Sequence, residues 1–329
     1  MGESMEQPPP LLLRDLVTAH VVTRCLHVVA EAGVADALGE EPATATELGR
    51  LTGLDADALN RMLRLLAARG IFAKNGDGWT HTDPSRFLRS DHPASIRSFA
   101  RMFGMPVVWN QFTELASAAK TGKPALSWAG LVSYFSGHTH EARLFNEAMV
   151  AKSRAIIPAV IAAYDFSQFG TIADVGGGHG HLLQAILEAA PTAQGILFDL
   201  PHVIAEAKGI ASDRLTLQAG DFFKSHLPVV NAYVMMEVIH DWSDEDAVRI
   251  LSAVRRAAPL SARVLLVEAL IADEGELFPK VLDVVMLAVT GGRERSAAEY
   301  ELLLKAAGFR LARVIPTQSQ CSVLEAVPV

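Results

Sequence analysis

Asp174-Val175-Gly176-Gly177-Gly178-His179-Gly180 is the stretch whose reading decides the fold. Ahead of it, Phe169-Gly170-Thr171-Ile172-Ala173 reads as a turn entering a short buried strand. Behind it, Leu182, Leu183, Ile186 and Leu187 recur at helical spacing. The unit is therefore strand, glycine turn, helix. Glycines let the backbone approach a ligand with no Cβ atoms in the way, and the helix aims its N–H groups and positive dipole end at the same point. That combination predicts a nucleotide-like ligand. A dinucleotide is disfavoured, because the third glycine of its fingerprint falls where this chain has His181.

Downstream, strands alternate with helices. Ile196-Leu197-Phe198 ends in Asp199, Leu215-Thr216-Leu217 leads to Gly220-Asp221, Ala232-Tyr233-Val234-Met235-Met236 leads to His240-Asp241-Trp242, and Val264-Leu265-Leu266-Val267 ends in Glu268. Helices such as Ala247 to Ala258 separate them, so the expected fold is α/β, a Rossmann-like doubly wound parallel sheet over residues 166–329. After a last helix around Tyr300 to Ala307, the runs Leu311 to Ile315 and Cys321 to Val327 predict a closing antiparallel hairpin.

Upstream, residues 1–92 read as a separate helical domain. Leu13, Leu16, Val17, Val21 and Val28 follow helical spacing, with Gly33 near the end; this helix is apolar over much of its surface. Thr44-Ala45-Thr46-Glu47 is a capping box opening a helix to Leu51, Gly53 turns, and Asp55 caps a helix with Leu59, Met62, Leu63 and Leu66 on one face. Ile71 to Thr80, broken by Asn75-Gly76-Asp77-Gly78, reads as a hairpin, so the set is expected to be a winged helix. Arg61, Arg64 and Arg69 invite a DNA-binding reading. Asp55 and Asp57 stand at the end that would enter a groove first, where carboxylates meet phosphates, so a scaffold or dimerisation role is favoured. Residues 93–165 show no strand pattern; Met102, Phe103, Met105, Trp109 and Phe112 form one Met- and aromatic-rich patch and Leu144, Phe145, Met149 and Ile156 another, expected as a helical linker and substrate lid.

Composition sets the bounds. The 329 residues suit two domains, and half are apolar, enough for a core in each. A net charge of −8 and a sequence pI near 5.8 argue against nucleic-acid or membrane-surface partners. Cys25 and Cys321 lie far apart with no metal-ligand spacing, so neither a disulfide framework nor a metal is expected. No apolar run reaches membrane-span length and Met1 to Pro10 lacks a signal-peptide core, which predicts a cytoplasmic protein with a short disordered start.

In an open parallel sheet, ligands bind beyond the carboxyl ends of the strands. Asp174, Asp199, Asp221, His240 and Glu268 all stand at such ends and point to one crevice. Asp199 suits the two hydroxyls of a ribose, with Leu200 beside it, and Asp221 an exocyclic amino group of adenine with Phe222 as an apolar wall. His240 suits a general base, because an ordinary imidazole, with a pKa of about 6.5, is largely neutral near pH 7.

Gly-x-Gly-x-Gly after an acidic strand end resembles the first motif of class I S-adenosylmethionine-dependent methyltransferases. His240-Asp241-Trp242-Ser243-Asp244-Glu245, Gly220-Asp221-Phe222-Phe223, Phe198-Asp199-Leu200-Pro201 and Gly291-Gly292-Arg293-Glu294-Arg295 are similar, in order, to the motifs of small-molecule O-methyltransferases of the caffeic acid and hydroxyindole type. The resemblance covers nearly the whole chain. It implies a homodimer formed by the N-terminal domain, S-adenosylmethionine as cofactor, and methylation of a hydroxyl on a flat aromatic or polyketide-like molecule of secondary metabolism, including antibiotic biosynthesis. It places the base on His240 and its flanking carboxylates on Glu268 and Glu294. Cofactor contacts fall on Ser153, Asp174, Gly176, Gly178, Asp199, Leu200, Asp221, Phe222 and Met236, and substrate contacts on Met102, Trp109, Phe145, Met149, Asp241, Met286 and Thr290.

One departure stands out: many relatives carry lysine where this chain has Met236. Two alternatives stay open at this stage. One is the same fold and cofactor turned to decarboxylation, hydroxylation or ring chemistry. The other is a winged-helix regulator.

Overall fold

The computed structural model describes residues 8–329; residues 1–7 of the expected disordered start lie outside them. Pro9 and Pro10 already belong to a helix, where proline's preset φ suits the first turn. The chain divides into two units, one of residues up to Trp109 with His138–Lys152, the other of Asn110–Gly137 with Ser153–Val329. The helices of 93–165, expected as a linker and lid, therefore do not form a body of their own but are shared between the two.

The first unit contains α1 (Pro9–Glu31), α2 (Val34–Leu38), α3 (Ala45–Thr52), α4 (Ala56–Ala67), the hairpin β1 (Ala73–Asn75) and β2 (Gly78–Thr80), α5 (Asp83–Arg86) and α6 (Arg97–Gly104). The local signals do their expected work. Thr44 Oγ1 accepts from Glu47 N while Thr44 N donates to Glu47 Oε2 at 2.7 Å, and Asp55 Oδ1 accepts from Ala58 N at 2.9 Å. Leu48, Leu59, Leu63, Leu66 and Trp79 bury one face of this helix–turn–helix–hairpin against Val29 and Ala30 of α1. Leu13, Leu16, Val17 and Val21, earlier on α1, stay exposed.

Four helices follow: α7 (Pro106–Thr113), α8 (Leu115–Thr121), α9 (Trp128–Gly137) and α10 (Thr139–Ala163). The second unit then runs β3 (Thr171–Val175), α11 (His181–Ala189), β4 (Gln194–Asp199), α12 (Pro201–Glu206), β5 (Leu215–Ala219), β6 (Ala232–Met236), α13 (Asp244–Ala257), β7 (Arg263–Ala269), α14 (Leu277–Val289), α15 (Ala297–Ala306), β8 (Phe309–Pro316) and β9 (Cys321–Pro328). Its seven strands lie in the order β5-β4-β3-β6-β7-β9-β8. β5 to β7 of that order pair in parallel, and β9 pairs antiparallel with both β7 and β8, so the closing hairpin extends the parallel sheet.

The unbroken apolar run of β6 follows from burial on both faces. Tyr233 and Met235 pack with Ile250, Leu251 and Val254 of α13, while Val234 packs on the opposite side with Leu183 and Ile186 of α11. The strand order reverses direction between β3 and β6, which opens the crevice at their carboxyl ends. Among the described residues, no helix is long and apolar enough to cross a membrane.

Candidate active site

Each glycine of the turn after β3 has its own reason. Gly176, Gly178 and Gly180 hold φ of 73°, 59° and 76°, the left-handed region that side chains disfavour. A Cβ on Gly177 would lie 2.4 Å from the Asp174 carboxyl, and one on Gly180 2.5 Å from Ile210 Cδ1. At Gly178 a Cβ would meet nothing within 4 Å. Gly177 and Gly180 thus serve packing within the protein, whereas Gly178 turns its bare backbone to open space.

Asp199, at the end of β4, ties that turn to its own strand. Its Oδ2 accepts from Gly178 N at 2.8 Å and its Oδ1 from Leu200 N at 2.6 Å. Every carboxylate oxygen accepts more than one bond, so both retain capacity for a diol. Burial raises the Asp199 pKa above the ordinary carboxylate value. Asp174 differs from the expectation of a contact at the cleft surface. It is 1% exposed beneath Gly177, neither carboxyl oxygen has a hydrogen-bond partner, and burial, with the charge of Asp199, pushes its pKa up to about 7. Its position is that of a support under the turn.

Asp221, just past β5, accepts from Phe223 N at 2.9 Å and pairs with Lys224 Nζ at 2.9 Å. Phe222, Phe223 and Trp242 meet edge to face with centroids 4.9–5.7 Å apart, an apolar wall to which sequence reasoning had assigned only Phe222. The His-Asp-Trp motif was the signal for Trp242. Met236 ends β6 partly buried, and Ser153 is partly buried on α10. A glycine turn with an open side, a carboxylate able to take a diol and an aromatic wall fit S-adenosylmethionine.

Beyond β6 the backbone leaves the sheet through Glu237, at φ 52°, and a short 3-10 turn, Ile239–Asp241, that carries His240. A non-glycine residue in this region is strained and is held by its surroundings, here by Glu237 N donating to Val267 O at 2.9 Å. The imidazole is buried at 4% exposure, and its Nδ1 lies 2.8 Å from Glu294 Oε1. The bond places the Nδ1 proton toward Glu294, so Nε2 is the acceptor nitrogen of the neutral ring. Asp241 Oδ1 lies 3.8 Å from Nε2.

The two carboxylates expected to flank His240 are not equivalent. Glu294 bonds the ring directly. Glu268 Oε2 is 4.0 Å from Nδ1, and its Oε1 instead accepts from Ile239 N at 2.9 Å, holding the backbone beside the histidine. Burial pushes Glu268 up to about 8, against the lowering pull of His240. Glu294 is set in turn by its own N–H, which donates to Asp283 Oδ1 of α14 at 3.0 Å.

The expected substrate residues fall in both units. In the first, Met102 is buried on α6, and Phe145 and Met149 are partly buried a turn apart on α10. Trp109 packs edge-on to His27 of α1 at 5.5 Å and lies under the Arg24 guanidinium at 4.7 Å. In the second, Met286 and Thr290 lie a turn apart at the end of α14, and the Thr290 hydroxyl accepts from Gly292 N at 3.0 Å. Among the described residues, no group of His, Cys, Asp or Glu is arranged to hold a metal ion.

Comparison with known proteins shows the family. Residues 112–310 match the O-methyltransferase domain and residues 14–91 the O-methyltransferase dimerisation domain, which supports a homodimer. The chain is 38% identical to the phenazine O-methyltransferase PhzM of Lysobacter antibioticus, over 98% of this chain and 97% of that one. It is 34% identical to the mitomycin biosynthesis 6-O-methyltransferase of Streptomyces lavendulae, over 92% and 90%. Among solved structures, CalO1 of calicheamicin biosynthesis, in its SAH-bound form, superposes with a TM-score of 0.86 at 36% identity, over 100% of both chains. NcsB1 of neocarzinostatin biosynthesis, solved with S-adenosylmethionine and 2-hydroxy-5-methyl naphthoic acid, superposes with a TM-score of 0.80 at 30% identity, over 93% and 96%. These comparisons favour neither non-methylating chemistry nor a regulator. With two family models covering most of its length and a cleft built for the cofactor, the chain belongs to the S-adenosylmethionine-dependent O-methyltransferases of natural-product type.

Proposed function

We propose that the protein methylates a hydroxyl of a flat aromatic or polyketide-like molecule, with His240 as the general base. The observation that carries this reading is the buried 2.8 Å bond from His240 Nδ1 to Glu294 at the carboxyl end of the sheet. It is supported by NcsB1, whose solved complex holds a hydroxylated naphthoic acid.

S-adenosylmethionine, when bound, supplies an electrophilic methyl group. The chain's own residues supply position and a proton acceptor. Asp199 and the Gly178 backbone orient the donor, and the apolar wall of Phe222, Phe223 and Trp242 excludes water on the adenine side. A phenol with a pKa of about 10 is a poor nucleophile at pH 7 until its proton leaves, and His240 Nε2 takes it. The Glu294 carboxylate then lies against a positively charged ring, which favours the transfer. Ser153, Met236 and Leu200 are assigned to the donor side, and Met102, Trp109, Phe145, Met149, Asp241, Met286 and Thr290 to the acceptor.

The test is a mass-spectrometric screen of hydroxylated aromatics for a gain of one methyl, followed by His240→Ala on the acceptor found. The rate should fall about 10²- to 10⁴-fold while calorimetric binding of S-adenosylhomocysteine is kept. Near-full turnover by a cofactor-binding His240→Ala protein would show that another group takes the proton.

A further inference from the structure

Arg295 stood in the Gly-Gly-Arg-Glu-Arg motif without a role. It is 1% exposed, one of the largest fully buried side chains in the protein, and every N–H of its guanidinium is engaged. Nε and Nη2 donate to Asp244 Oδ1 at 2.9 and 2.8 Å, Nη2 also to Trp242 O at 2.8 Å, and Nη1 to Ile239 O at 3.2 Å and Arg293 O at 3.4 Å. Its plane lies over the Tyr300 ring, 5.9 Å from the centroid. Two of the three carbonyls it holds, those of Ile239 and Trp242, flank His240, and Asp244 opens the helix that follows.

The neighbouring backbone closes the same joint. Arg293 N donates to His240 O at 2.8 Å, and a Cβ on Gly292 would lie 2.0 Å from that oxygen, so only glycine lets the two segments meet. Glu294, between the two arginines, makes the bond to the imidazole. Residues 292–295 thus fix the ring through its carboxylate and its backbone together.

We infer that Arg295 is a positioning residue for His240: its guanidinium locks the 239–244 loop so that the imidazole meets both Glu294 and the acceptor hydroxyl at a fixed angle. This rests on the reading of His240 as the base. A planar fork suits the task because the acceptors lie around one plane; an ammonium on a flexible stem cannot serve Asp244 and three carbonyls at once.

Arg295→Lys keeps the charge and loses the fork. Turnover is counted per S-adenosylhomocysteine-binding site measured by calorimetry, so that unfolded protein does not enter the rate. On that basis kcat should fall about 10- to 100-fold, with acceptor KM and S-adenosylhomocysteine Kd within about threefold of the parent. The fall should be the same at each pH from 6 to 9, because the charge partner of the ring is retained. Asp244→Asn, which leaves an oxygen acceptor beside the buried guanidinium and changes only a largely exposed side chain, should lower kcat about 3- to 10-fold per S-adenosylhomocysteine-binding site and decides the matter if the lysine variant does not fold. Parent-like kcat per binding site, or a loss carried by Kd or KM alone, would overturn the inference. His240→Ala in the same assay separates the two readings: if it is inactive while Arg295→Lys matches the parent, only the role of Arg295 is lost.

Discussion

Glu268 and Glu294 look alike as strand-end and motif carboxylates, and the structure gives them different work. Glu294 touches the imidazole; Glu268 is drawn to the Ile239 amide and, with a pKa near 8, is mostly neutral at pH 7. A neutral amide therefore imitates the resting Glu268 but not Glu294. Glu268→Gln is expected to keep turnover within about threefold of the parent, whereas Glu294→Gln, which removes the charge beside the imidazolium, should lower kcat about 10- to 100-fold. Steady-state kinetics on the two variants checks this, and equal losses would mean that both carboxylates act through charge. The pair could be named from sequence because the motifs are local. Their division of labour could not, since it depends on bonds between residues 29 and 54 positions apart.

At the scale of the element, the strand–turn–helix unit of β3 and α11 carries a stability cost. Asp174 titrates near 7 in the folded chain and about 3.9 when unfolded. The folded form thus holds a proton that the unfolded form releases between those values, so stability falls as pH rises from about 4 to 7, by an amount on the order of 4 kcal/mol. Asp174→Asn should consequently raise the melting temperature of ligand-free protein most at pH 8 and clearly less at pH 5, where only about 1.5 kcal/mol of that cost is present. Parallel melting curves at the two pH values would contradict the buried, unpartnered carboxyl. The unit was legible from glycine spacing and helical periodicity, but the depth of Asp174 was not: a strand-end residue points into the cleft or under the turn according to the pleat of the folded sheet.

At the scale of the whole molecule, α1 leaves Leu13, Leu16, Val17 and Val21 exposed in a segment that reaches into the dimerisation domain at residue 14. An apolar stripe of this kind marks a protein interface. Leu16→Glu with Val17→Glu should yield monomers in sedimentation velocity and a less stable protein, and an unaltered dimer would place the interface elsewhere. The alternation of strands and helices, the glycine turn, the capped helices of the first unit and the polar residue closing each strand were all determined by the sequence alone, because each is set by residues within a turn or a strand of one another. Only the tertiary structure decided the division of 93–165 between two units, the burial of Asp174, the aromatic contact of Trp242 and the seating of Arg295 across the His240 loop. Those depend on which distant backbone atoms meet, and chain spacing carries no record of that.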